Sequence, residues 1–230
     1  MRAMILAAGR GERMRPLTDS TPKPLLKAGG KPLITWHIER LVTAGVVDII
    51  VNHAWLGTQI ERVLGDGKCY GARIRYSAEP SPLETAGGIA QALPFFEDQP
   101  FLVINGDIWC DWDPAQAQGI ARDLKENDTL AWLMLVDNPV HHARGDFVLD
   151  EKGLIHASPH MPDESKLTFA GIGVYKPELF GHLAQGQAAP LAPLLRQAMA
   201  SKQVCGGHYT GQWADIGTPE RLAALDLALT

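Results

Sequence analysis

The first half of the chain alternates short apolar runs with segments of helical periodicity. The apolar runs predict buried strands at 3–8, 46–51, 72–77 and 101–105. The periodic segments predict helices near 33–42, 55–64 and 85–93. Repeated units of this kind indicate an α/β fold with a Rossmann-like, mostly parallel central sheet and helices on both faces. Such sheets bind ligands at the carboxyl ends of their strands.

After Asp107 the strands and helices no longer alternate regularly. Strands are predicted at 129–136, 147–149, 154–155 and 167–175. Helices are predicted at 114–126, 191–200 and 219–229. Because no linker separates the two parts, we expect one domain over 1–230. Its core would cover roughly 1–110 and 205–230, and a smaller lobe would cover roughly 111–204.

The composition is that of an ordinary globular protein, with 46% hydrophobic residues and a net charge of -5. This balance argues against a surface that coats nucleic acid, and no apolar run approaches the roughly 18 residues of a membrane helix. The cysteines form no CxxC motif, and the N-terminus does not resemble a signal peptide. We therefore expect a cytoplasmic protein with small-molecule partners, and neither nucleic acid nor membrane as a partner.

A glycine-rich turn follows the first predicted strand, within the stretch 6–18. Gly9 and Gly11 lack the Cβ atoms that would keep a phosphate away from backbone N–H groups. The turn is not the dinucleotide fingerprint, because Met14 stands at the third glycine position, and it lacks the G-K-[ST] of a P-loop. A plain surface loop is the alternative, although the cations and prolines that follow make a phosphate site more specific.

Four cations lie close to this turn, which makes it the most basic part of the N-terminal region. Arg10, Arg13 and Arg15 are within six residues, and Lys23 stands between two prolines. The prolines predict that Lys23 is held on a stiff, extended segment, which would aim its ammonium group.

Two aspartates are candidates for chemistry. Asp107 directly follows the predicted strand 101–105 and its glycine, and Asp215 precedes a glycine and a predicted helix. On the sequence alone each is equally consistent with a turn former or a helix cap.

Together, the stretches 6–18, 21–24, 101–107 and 213–219 resemble the signature of the sugar-1-phosphate nucleotidyltransferases. These enzymes join a nucleoside triphosphate to a sugar 1-phosphate and release pyrophosphate, and the resemblance covers essentially the whole chain. It implies the nucleotide-diphospho-sugar transferase fold, in which the smaller lobe binds the sugar.

The resemblance also implies roles for individual residues. The catalytic residues would be Arg13, Lys23 and Asp107. The nucleotide would be bound by Ala8, Gly9, Gly11, Glu12, Arg13, Lys23 and Glu79. A Mg²⁺ cofactor, which takes few protein carboxylates and keeps phosphate oxygens and waters, would be held by Asp107 and Asp215.

The stretch 79–88 lies where the family binds the base and the ribose. Relatives usually have glycine at the position of Glu84, so the role of Glu84 stays open. An acid in the first turn of a helix also favours the macrodipole.

Sugar-contacting positions of the family are matched by Asn105, Gly145 and Gly171, and the run 137–147 adds Arg144 and Asp146. The lysine of the family's Glu-Lys-Pro segment is absent from the corresponding stretch 157–160. His141 and His142 could receive an additional carboxylate of the substrate, or could belong to a solvated polar turn.

The run 137–147, the missing lysine and the stretches 52–57 and 191–199 are similar to one subgroup of the family. That subgroup transfers a uridylyl group from UTP to N-acetylmuramate α-1-phosphate during recycling of bacterial cell-wall sugars. Its substrate carries a lactyl carboxylate, which Arg144 could contact. The short chain is expected to be a monomer or a weak dimer. The alternatives are a nucleotidyltransferase for a mannose, glucose or heptose 1-phosphate with GTP or dTTP, and a non-catalytic sensor of nucleotide sugars.

Overall fold

The computed structural model describes residues 1–157 and 166–230. The strands, in chain order from β1 to β13, are Arg2–Leu6, Lys27–Ala28, Lys31–Pro32, Asp48–His53, Arg73–Ala78, Phe101–Asn105, Ile108–Cys110, Ala131–Val136, Val148–Leu149, Ile155–His156, Thr168–Tyr175, Val204–His208 and Trp213–Asp215. The helices, from α1 to α7, are Leu17–Ser20, Leu33–Thr43, Gly57–Leu64, Glu84–Ala92, Gln116–Glu126, Leu191–Ala200 and Pro219–Ala228.

Seven strands form the central sheet, in the order β12-β8-β11-β6-β1-β4-β5. Neighbouring strands are parallel except at β11, which runs antiparallel to both β6 and β8. The predicted mostly parallel α/β sheet is therefore confirmed. The strands β8, β11 and β12 belong to the same sheet as β1.

Apolar side chains cover both faces of this sheet. One cluster packs α2, α3 and α5 against it, and the other packs α4 and α6. The helices on both faces that the periodicity predicts are thereby confirmed. No helix in the described ranges combines the length and the apolar character needed to cross a membrane.

The short strands are what the apolar pattern misses. It does not predict the hairpin of β2 and β3, the edge strand β12, or the antiparallel pair β7–β13. Strands of two or three residues are too short to show a period, and β12 contains two glycines. The β7–β13 pair matters for function, because it places Asp215 opposite Ile108, the residue after Asp107.

Candidate functional site

The glycine-rich turn is fixed by its own backbone and by a neighbouring threonine. Gly11 has a φ of 67°, which favours glycine, and a Cβ there would lie 3.0 Å from Thr18. The Thr18 hydroxyl donates to the Gly11 carbonyl at 2.8 Å, and the Met14 N–H donates to the same carbonyl at 2.9 Å. Glu12 and Arg13 are thereby held on a single 3₁₀ turn, with both side chains exposed.

Lys23 is buried, with 7% of its surface exposed, and its ammonium donates to Asp107 Oδ2 at 2.6 Å. The prediction that Lys23 lies on an extended segment is wrong. Pro22 is extended, but Lys23 begins a 3₁₀ turn that ends at Leu25. The ring of Pro24 fixes φ near the helical value, so a proline in the first turn favours the turn itself.

The side chain of Arg10 is held by contacts within the protein, whereas Arg13 has no hydrogen bond or ion pair with a described residue. The Arg10 guanidinium stacks 3.8 Å from the ring of Trp55 and donates to the Thr18 carbonyl at 2.9 Å. It also pairs with Asp19 at 3.3 Å. Arg10 therefore ties the glycine-rich turn to the segment after β4.

A first cavity of about 220 Å³ opens at the carboxyl ends of β1, β4 and β6. Of the residues predicted to bind nucleotide, it is lined by Ala8, Gly9, Lys23 and Glu79. The predicted site residues Gly11, Glu12 and Arg13 do not line it. Arg13 instead lines a second cavity.

Glu79 is buried in a polar network below the first cavity. Its Oε1 accepts from Asn52 Nδ2 at 2.7 Å and its Oε2 accepts from the Leu83 N–H at 2.8 Å. Asn52 Oδ1 in turn accepts from the Ala7 N–H at 2.8 Å. The network joins the glycine-rich turn, β4 and the entrance of α4, and the sequence reasoning missed Asn52. A polar residue near the end of an otherwise apolar strand was the available signal.

Glu84 is the first residue of α4 and its exposed side chain lies at the first cavity. Its φ is 57°, in the left-handed region that disfavours residues with a Cβ. This backbone explains a preference for glycine at the position, and the present chain keeps the same conformation with an acidic side chain.

The second cavity, of about 310 Å³, adjoins the first. Asn105 and Asp107 line both cavities. Gly171 lies on the second cavity with a φ of 77°, and a Cβ there would lie 2.7 Å from the Asn105 amide nitrogen. Glycine is thus required at position 171 for the Asn105 side chain to lie where the two cavities meet.

The loop before β9 borders the second cavity through His141 and His142. Asp146 accepts from His142 Nε2 at 3.0 Å and from the Phe169 N–H at 2.9 Å, which fastens the loop to β11. Gly145 has a φ of 59°. Arg144 is exposed and is not among the residues that line this cavity. In the stretch 157–160, only Ala157 lies within the described residues.

Asp215 lines the second cavity and its carboxylate is held by Arg221. Arg221 Nη1 donates to Asp215 Oδ2 at 2.7 Å and to His141 Nε2 at 2.5 Å. A ring nitrogen that accepts from Arg221 cannot also donate to Asp215, so the 3.2 Å contact between His141 and Asp215 is not a second hydrogen bond. The sequence reasoning missed Arg221, which has no motif around it.

The two aspartates fit a hard divalent cation whose other ligands come from substrate. Asp215 pairs with Ile108 in the β7–β13 ladder, and Asp107 directly precedes Ile108. The Ile216 N–H donates to the Asp107 carbonyl at 2.9 Å. Each carboxylate has one oxygen engaged by a cation, Lys23 or Arg221, and one that no described cation engages. Within the described ranges no group of three His, Cys, Asp or Glu side chains forms a metal site, so two carboxylates alone leave most positions to phosphate and water.

A buried histidine lies behind this ladder. His37 on α2 donates through Nε2 to the Ile108 carbonyl at 2.9 Å. Burial lowers the pKa of His37 to about 4. The ring is therefore neutral at neutral pH and supports β7, the strand that begins directly after Asp107.

Comparison with known proteins identifies the family. The Nucleotidyl transferase family matches residues 2–230, and the chain belongs to it. The chain is 54% identical to the N-acetylmuramate alpha-1-phosphate uridylyltransferase of Neisseria meningitidis serogroup B, over 96% of this chain and 95% of that protein. It is 34% identical to the protein of the same name from Caulobacter vibrioides, over 99% of this chain and 96% of that one.

Among solved structures, HddC from Yersinia pseudotuberculosis in complex with GMP-PN superposes with a TM-score of 0.78. The sequences are 21% identical, and the match covers 100% of this chain and 99% of that one. An apo-UDP-glucose pyrophosphorylase matches with a TM-score of 0.76 and 18% identity, over 99% of this chain and 97% of that one. The expected fold of the family is confirmed.

Proposed function

We propose that this nucleotidyltransferase transfers a uridylyl group from UTP to N-acetylmuramate α-1-phosphate, giving UDP-N-acetylmuramate and pyrophosphate. The observation that carries the proposal is the pair of cavities that meet at Asn105 and Asp107. One cavity offers a glycine-rich turn and a buried lysine to a nucleotide, and the other offers polar groups to a sugar. The choice of uracil and muramate rests on the 54% identity to the meningococcal uridylyltransferase. This activity belongs to the recycling of cell-wall sugars.

In this assignment the triphosphate lies along the glycine-rich turn. Backbone groups of Ala8, Gly9 and Gly11 hold the nucleotide, and Glu12 and Glu79 shape its site. Arg13 is exposed and has no ion pair within the described chain, so it is available to the β- and γ-phosphates. Lys23 is aimed at the α-phosphate by its pairing with Asp107.

The reaction needs no general base. The phosphate of the sugar 1-phosphate is already anionic near neutral pH, and it attacks the α-phosphorus of UTP in line while pyrophosphate leaves. The protein has to hold two anionic substrates at attack distance and neutralise the charge that develops. Lys23 serves both purposes, because a buried ammonium acts more strongly than an exposed one.

Asp107 and Asp215 hold Mg²⁺ in this proposal. The bound ion supplies charge neutralisation for the phosphate oxygens. Asp107 additionally fixes the ammonium of Lys23 through the 2.6 Å ion pair.

The sugar is assigned to the second cavity and to the smaller lobe, roughly 111–204, against a core of 1–110 and 205–230. Asn105 and Gly171 contact it, Gly145 and Asp146 set the course of the loop, and Arg144 faces the lactyl carboxylate. We further propose that the chain is a monomer or a weak dimer. The free cysteines and the use of UTP support a cytoplasmic enzyme.

Pyrophosphate release tests the proposal when several triphosphates are crossed with several sugar 1-phosphates. UTP with N-acetylmuramate 1-phosphate is expected to give the highest kcat/KM. A preference for GTP with mannose 1-phosphate, or for dTTP with glucose 1-phosphate, would change the substrates assigned here. The reaction would still be a nucleotidyl transfer. The absence of release with every pair would favour a sensor.

A further inference from the structure

Two guanidinium groups converge at Gly217, a buried residue between Asp215 and α7. A Cβ at Gly217 would overlap Arg221 Nη2 and would lie 3.1 Å from Arg13 Nη2. Two cations from opposite ends of the sequence therefore lie side by side at the edge of the second cavity. Like charges this close repel each other unless an anion lies near both.

Among the residues that the structure describes, Arg221 has such an anion in Asp215, whereas Arg13 has none. Both side-chain hydrogen bonds of Arg221 in the described chain use Nη1, to Asp215 and to His141. Its Nη2 faces Gly217 and Arg13 and has no hydrogen-bond partner among the described residues. Arg13 has no hydrogen bond or ion pair with any described residue. Asp215 therefore neutralises one of the two positive charges, and both guanidinium groups keep N–H donors that no described residue accepts.

We propose that Arg221 is a second pyrophosphate-binding arginine, which Asp215 holds back while that carboxylate is free of metal. A cation bound to Asp215 would neutralise the carboxylate and weaken its attraction for Arg221, which would then join Arg13 on the phosphates of the leaving group. Planar guanidinium groups suit this task because they donate two parallel hydrogen bonds to a phosphate. The inference rests on the proposed function, since pyrophosphate is the product of that reaction.

Calorimetric titration with inorganic pyrophosphate in EDTA tests the inference, because it requires neither metal nor turnover. Asp215→Asn keeps the shape of the side chain and removes the charge that holds Arg221. The variant is expected to bind pyrophosphate about tenfold more tightly than wild type, the size of one charge-assisted hydrogen bond gained. Arg221→Gln is expected to bind more weakly than wild type. Arg122→Gln, at an exposed position on α5, is the matched control and is expected to bind like wild type.

The gain in affinity of Asp215→Asn could come from the release of Arg221 or from the loss of a negative charge near the phosphates. The double variant Asp215→Asn/Arg221→Gln distinguishes these two causes. If the inference holds, the gain from Asp215→Asn disappears in the double variant. A gain of equal size with and without Arg221, or no gain in Asp215→Asn, would overturn it. Thermal melting checks folding. If Arg221→Gln does not fold, Arg221→Lys replaces it, and the gain must then shrink because lysine lacks the paired donors.

The proposed function can fail independently of this inference. If the variants show the predicted changes in pyrophosphate affinity but the wild-type protein does not use UTP, the function alone is refuted. Wild-type protein that turns over UTP while Asp215→Asn shows no gain would refute the role of Arg221 alone.

Discussion

The two cavities of the site are built in different ways. The first is supported by buried polar groups, with Lys23, Asn52 and Glu79 exposing 7%, 2% and 5% of their surfaces. The second is bordered by side chains that water reaches, including His141 and His142, whose side chains are 38% and 41% exposed. A buried network is rigid because each broken bond leaves an unpaired polar group, whereas exposed pairs exchange with water at little cost. The rigid first cavity is therefore suited to holding the triphosphate, and the second cavity is suited to the choice of sugar.

The largest effect is expected from Lys23→Ala, which removes the buried cation of the first cavity. Turnover should fall by about two to three orders of magnitude, as for other preorganised groups that meet developing charge. The kcat from pyrophosphate release measures the loss. Lys27→Ala, at an exposed position on β2, is the matched control and should keep wild-type turnover. A Lys23→Ala variant that folds and retains near-normal turnover would remove Lys23 from the mechanism.

Asn52→Ala should lower stability by several times more than a change on the sugar side. It leaves the Ala7 N–H and one oxygen of Glu79 without partners, at about 1–3 kcal/mol for each buried group. His142→Ala breaks only an exposed pair with Asp146, for which less than about 1 kcal/mol is expected. Urea unfolding of both variants measures the difference. Equal losses of free energy would contradict the contrast between the cavities.

The neutral His37 should make stability fall on acidification. Its pKa is about 4 in the folded protein and near 6.5 in the unfolded chain, so the unfolded chain binds more protons between these values. Stability from this group is complete above about pH 6.5 and is lost toward pH 4, with a slope approaching about 1.4 kcal/mol per pH unit. Urea unfolding at several pH values measures the slope. His37→Gln, which still offers an N–H to the Ile108 carbonyl, should flatten it, and an unchanged slope would mean that His37 is not responsible.

The smallest effect is expected from Arg144→Ala, because an exposed charge contributes little. The KM for N-acetylmuramate 1-phosphate should rise by about two- to fivefold, with the KM for UTP unchanged. Steady-state kinetics with each substrate varied in turn separates the two constants. An unchanged KM for the sugar phosphate would exclude the contact with the lactyl carboxylate.

The same contrast explains how far the sequence predicts the site. The glycine-rich turn and Lys23 lie within one stretch of the chain, so their chemistry is visible as a motif, and the alternation of apolar runs predicts the sheet. The contact between Arg221 and His141 joins positions that lie 80 residues apart in the sequence. No local pattern records such a contact. The 3₁₀ turn at Lys23 was missed although Pro24 favours it locally, because the two prolines also suggest an extended segment. The left-handed backbone at Glu84 was missed because surrounding structure overrides the preference of the residue itself.

A competition experiment tests the central claim most directly. The wild-type protein is incubated with Mg²⁺, equal concentrations of UTP, GTP and dTTP, and equal concentrations of the 1-phosphates of N-acetylmuramate, glucose and mannose. Mass spectrometry then measures the nucleotide sugars formed. The account predicts that UDP-N-acetylmuramate is the main product, with pyrophosphate released in equal amount. A main product that contains glucose or mannose, or a guanine or thymine nucleotide, would contradict it.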